Sequence, residues 1–89
     1  MNIIVKKPTE KELKDLGIKN WGTWECAKST FEWTYSDKET CYIYEGKVTV
    51  ITDEGEVSFQ SGDLVVFPKG LSCTWIVEEP VRKVYKFGD

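Results

Sequence analysis

The stretch from Gly62 to Cys73, GDLVVFPKGLSC, reads as a strand over Leu64–Phe67 that stops at Pro68-Lys69-Gly70 and restarts at Cys73. Its β-branched and aromatic residues suit a pleated, half-buried surface. Pro68 ends a strand without wasting a ladder donor, and Gly70 lets the backbone turn back. The same punctuation recurs on both sides. Strands are expected at Ile3–Val5, Trp24–Ala27, Phe31–Ser36, Thr40–Tyr44, Lys47–Thr52, Glu56–Gln60, Cys73–Val77 and Val81–Phe87. Between them stand turn-forming clusters: Glu45-Gly46, Asp53-Glu54-Gly55, Ser61-Gly62-Asp63 and Glu78-Glu79-Pro80. Short strands at this even spacing predict an all-β sandwich or barrel, and closure is favoured because it removes open sheet edges.

One helix is predicted. Thr9 and Glu12 have capping-box spacing, Leu13 and Leu16 share a helical face, and Gly17 is a suitable stop. Residues 1–24 therefore read as a strand, a short helix and a connector packed on a barrel formed by residues 25–89.

Composition narrows the function. At 89 residues the chain has room for one small domain, and four Trp supply large rings to fill it. The net charge is −3, and the N-terminal basic cluster is only Lys6-Lys7, which argues against a nucleic-acid partner. No apolar run approaches a membrane span, and the charge pattern at the N-terminus is the reverse of a secretory signal. The three cysteines, 26, 41 and 73, fit a reduced compartment, so a cytoplasmic protein is expected. Histidine is absent, so any acid–base chemistry falls to Glu, Asp, Cys, Tyr or Lys.

Alternation places Glu39, Cys41 and Ile43 on one face of a strand, and Cys73, Trp75 and Val77 on one face of another. The opposite faces carry Tyr42, Tyr44 and Ile76, so periodicity alone does not decide which faces point inward.

Spacing adds a resemblance. Gly62, Pro68 and Gly70 match the second motif of the cupin superfamily, with Cys73 at its His position and Val77 at its Asn position. Glu39 and Gly46 match the end of the first motif, whose two histidines have no counterpart; Trp33 and Tyr35 stand nearest to them. The phrases ETCYIYEGKVTV and GDLVVFPKGLSCTW further resemble a small single-domain group similar to the cupin domain of ureidoglycine aminohydrolase. The resemblance implies a double-stranded β-helix (jelly-roll) barrel, a homodimer, and a ligand cavity reached by Glu39 and Cys73.

Candidate ligand-binding residues are accordingly Trp33, Tyr35, Glu39, Cys41, Cys73 and Trp75, with Glu39 and Cys73 as candidate catalytic groups. A Glu buried among rings can act as a proton-transfer group, or it can simply bond to Tyr35 or a backbone amide. Cys73 lacks a His base, and free cysteines are commonly small buried hydrophobes. The rings line a pocket or fill the barrel. Trp21 and Trp24 are expected to cover the outside of the barrel or a subunit contact, and Glu78-Glu79 and Arg82-Lys83 are expected to be solvated. No cofactor is expected, and a metal is disfavoured because stable sites use three or four protein ligands. The reading is a small-molecule-binding cupin. The alternative is a hydrolase, aminohydrolase or isomerase acting on a small nitrogen-containing metabolite.

Overall fold

The computed structural model describes residues 2–88. Seven strands form one hydrogen-bonded system: β1 (Ile4–Lys6), β2 (Gly22–Cys26), β3 (Ser29–Thr34), β4 (Glu39–Thr52), β5 (Gly55–Gln60), β6 (Leu64–Phe67) and β7 (Ser72–Phe87). A single α-helix, α1 (Glu10–Leu16), and a 3₁₀ turn at Ile18–Asn20 lie between β1 and β2. The predicted capping box is present. The Thr9 hydroxyl accepts from the Glu12 amide at 3.2 Å, the Glu12 carboxylate accepts from the Thr9 amide, and Gly17 closes the helix at φ 70°. Among the described residues, no helix is long and apolar enough to cross a membrane.

Architecture follows from two long antiparallel strands. β4 and β7 pair along their lengths, from Glu39↔Phe87 to Ile51↔Thr74. The first part of β4 also pairs with β6, which pairs with β1, and the last part of β7 pairs with β2. The second part of β4 pairs with β5, and the first part of β7 pairs with β3. Each long strand thus runs through both halves of the barrel, and their inner faces enclose the core. Cys41, Ile43, Val48, Val50, Val65, Phe67, Trp75 and Val77 are buried there. This is the all-β jelly-roll expected from the sequence.

Two expected turns are absent. Glu45-Gly46 and Glu78-Glu79-Pro80 lie inside β4 and β7, where the register shifts between Ile43 and Val48. The reason is local. Gly46 has φ 104°, and a bulge bends a strand with the same residues that would reverse it. Pro80, which has no amide hydrogen, stands at that bend. Sharp reversals occur instead at Asp53-Glu54 and at the Pro68 corner. There the Gly70 amide donates to the Tyr35 carbonyl at 2.7 Å, and the Tyr35 amide donates to the Leu71 carbonyl at 2.9 Å. The Pro68 corner therefore clamps the backbone of Tyr35.

Candidate functional site

A pocket of about 440 Å³ opens on one side of the barrel. β2 contributes Trp24 and Cys26, β3 contributes Phe31 and Trp33, and β7 contributes Trp75, Lys83, Tyr85 and Phe87. Tyr35 and Glu39 complete the wall. Strand alternation explains the set. Lys83, Tyr85 and Phe87 share one face of β7, and Trp24, the cross-strand partner of Lys83, faces the same way.

The apolar wall is a ring cluster. Phe31 stacks on Trp75 with centroids 5.9 Å apart, and Trp24 meets both edge-on. Tyr35 stacks on Phe67 at 4.7 Å, and its hydroxyl accepts from the Trp75 indole N–H at 3.1 Å. That contact orients both rings, as buried Tyr and Trp polar atoms require. Burial, followed by the Glu39 charge, raises the Tyr35 phenol above its ordinary value, so it stays neutral.

One ion pair sits among these rings. Lys83 Nζ donates to Glu39 Oε2 at 2.6 Å, with the side chains only 7% and 5% exposed. The ammonium also lies 4.8 Å from the Trp75 ring centroid, 4.9 Å from Trp24 and 5.8 Å from Tyr85. The carboxylate neutralises the ammonium and the ring faces attract it, which is how a charge is retained away from water. Lys83 was expected to be solvated beside Arg82. Arg82 does reach outward to Glu45 at 3.1 Å, but alternation turns its neighbour inward.

The sequence candidates divide. Trp33, Tyr35, Glu39 and Trp75 line the pocket; Cys41 and Cys73 are buried but do not. Cys41 has no exposed surface, and its cross-strand partner Tyr85 forms the wall beside it. Burial pushes the Cys41 thiol up to about 12, with the Glu39 carboxylate adding to the shift against the opposing Lys83 charge. Cys73 is also raised, by burial and then by Glu39. Thiols held protonated in this way are not poised as nucleophiles. Trp24, placed outside the barrel by sequence reasoning, instead lines the pocket because its strand pairs with the end of β7. Lys83 was missed as well; the available signal was the alternation of Val81, Lys83, Tyr85 and Phe87.

Cupins imply a metal beside the first-motif Glu. The residues here do not fit one. The Glu39 carboxylate is engaged by an ammonium that would repel a cation, and Trp33 and Tyr35 supply rings where imidazoles are needed. No group of three or more His, Cys, Asp or Glu side chains converges among the described residues.

Residues 13–85 match the EutQ-like cupin domain. The chain belongs to the EutQ-like cupin family. Among curated relatives it is 34% identical over 64 residues to "Acetate kinase EutQ" of Clostridioides difficile, covering 72% of this chain and 41% of that protein. A solved DUF861 family protein from Thermotoga maritima superposes with a TM-score of 0.95 at 49% identity, covering 98% of this chain and all of the other. The solved Clostridium difficile EutQ protein gives a TM-score of 0.67 at 28% identity, over 93% of this chain and 64% of its own. This EutQ-like cupin thus spans less than half of the curated EutQ protein it matches, and the whole of the Thermotoga protein.

Proposed function

We propose that this cupin binds a small organic molecule with a planar or apolar body in the pocket bounded by Trp24, Phe31, Trp33 and Trp75. The observation that carries this is the Lys83–Glu39 pair set into a recess otherwise lined by aromatic rings and Cys26. Apolar walls with a few fixed polar groups are the usual composition of a ligand site. Rings give area and shape selection, while the pair offers a donor and an acceptor that fix orientation.

Titration of small planar compounds, read by tryptophan fluorescence, tests the proposal. Saturable quenching that weakens in Trp33→Ala is the expected result. Trp33 is 48% exposed at the rim, so its truncation leaves the core intact. An absence of saturable responses, or responses indifferent to Trp33, would overturn it.

A second reading, an aminohydrolase-like or isomerase activity on a small nitrogen-containing metabolite, is supported by Glu39 lining the pocket with a proton donor at 2.6 Å. Turnover of ureidoglycine-like substrates by the wild type, lost in Glu39→Gln, would favour it. The kinase activity in the relative's name is not carried over. Phosphoryl transfer needs several cations around the phosphates, whereas this pocket wall has one ammonium, already paired.

A further inference from the structure

We propose that Lys83 is a covalent capture residue for aldehydes: its amine condenses with the carbonyl of an aromatic aldehyde seated against the pocket rings, and Glu39 moves the protons. The proposal rests on the binding reading above and adds chemistry to it.

Three observations converge on Lys83. It is the one buried lysine among the described residues, yet it lines the pocket, so a ligand there meets its nitrogen and no other amine. The proton it must shed to become nucleophilic has an acceptor, Glu39 Oε2, at 2.6 Å. Finally, the Trp75, Trp24 and Tyr85 rings surround Nζ within 5.8 Å and would face a cationic product as they face the ammonium.

The steps balance. Lys83 passes a proton to Glu39, and the freed lone pair attacks the carbonyl carbon, forming a C–N bond and placing the π electrons on oxygen. Glu39 returns its proton to that oxygen, then removes one from nitrogen to give a neutral carbinolamine. The nitrogen lone pair forms the C=N bond as the hydroxyl leaves, protonated by Glu39 as water. The product is a protonated imine paired with the Glu39 carboxylate, so one cation and one anion occupy the recess before and after. No oxidant or metal is consumed. A neutral carbonyl suits the site better than an anion, because the lining ammonium is already matched by a carboxylate.

The test is reductive trapping. Intact protein is incubated with benzaldehyde and sodium cyanoborohydride, and benzylated lysines are located by peptide mass mapping. Lys83 is expected to be labelled about a hundredfold faster than the exposed Lys69, the scale of assistance by a positioned general base. Glu39→Gln is expected to abolish that preference, and the wild type is expected to bind benzyl alcohol, which has the same ring without the carbonyl. If Glu39→Gln does not fold, the preference for Lys83 over Lys69 in the wild type decides alone. Saturable fluorescence quenching by benzyl alcohol with Lys83 unlabelled would overturn aldehyde capture and leave the binding reading standing. Failure of both would remove the two together.

Discussion

A methyl group on Gly46 would stand 2.4 Å from the backbone carbonyl oxygen of Pro80 and 2.7 Å from the Cα of Val81. The two long strands therefore touch backbone to backbone at the bend, with no room for a side chain. Gly46 also holds φ 104°, a conformation that L side chains rarely adopt. Gly46→Ala is expected to destabilise the protein by ~3–5 kcal/mol, combining clash and strain. The urea midpoint measures it. Glycine at position 55 has open space around its Cβ direction, so Gly55→Ala should cost only the strain of its φ 121°.

The Lys83–Glu39 pair should behave asymmetrically. Lys83→Met strands a carboxylate that is almost fully buried, at a cost of about 3–5 kcal/mol. Combining it with Glu39→Leu removes the stranded charge and should recover most of that loss. A double-mutant cycle from denaturant unfolding checks this, and a double variant whose loss equals the sum of the two single losses would show that the pair carries no coupling.

Tyr35→Phe deletes the acceptor of the Trp75 indole N–H without changing the ring stack on Phe67. A buried donor left unpaired costs ~1–3 kcal/mol. Thermal unfolding should register that loss. The tryptophan emission maximum should shift as well, because the polar partner of Trp75 is gone.

Thiol chemistry and alkaline stability should follow burial. Iodoacetamide at neutral pH should label the half-buried Cys26 first and leave Cys41 protected until the chain unfolds. Cys41 is raised from 9.0 to about 12, and Tyr35 is raised from 10.0. The unfolded chain therefore releases these protons first as pH climbs. Their contribution to stability is full below pH 9 and drains away as pH rises toward 12. Denaturant midpoints between pH 8 and pH 11 should fall with pH, and less steeply in Cys41→Ala.

Much of this fold is legible in the sequence. The Pro68 corner, the Asp53-Glu54 reversal and the Thr9–Glu12 capping box rest on local backbone chemistry, which a sequence states directly. Gly46 and Pro80 misled because bending a strand and reversing it draw on the same residues; only the pairing of β4 with β7 tells them apart. In the pocket, spacing pointed to Glu39, and ring residues pointed to Tyr35 and Trp75. Lys83 was hidden by its neighbour Arg82, since a pair of basic residues reads as solvent-facing. Its burial depends on a carboxylate 44 positions earlier, which no local pattern reveals.

The pairing of β7 has a consequence for synthesis. Among the described residues, β2 and β3 have no strand partner except β7, although both precede it by dozens of residues. While a ribosome is still making residues 72–87, those two segments have nothing to zip against, and three walls of the recess do not exist. Contacts so distant along the chain are slow to form. Assembly must wait for β7 to emerge, and until then Trp24, Phe31 and Trp33 travel uncovered as a nascent chain that chaperones can grip.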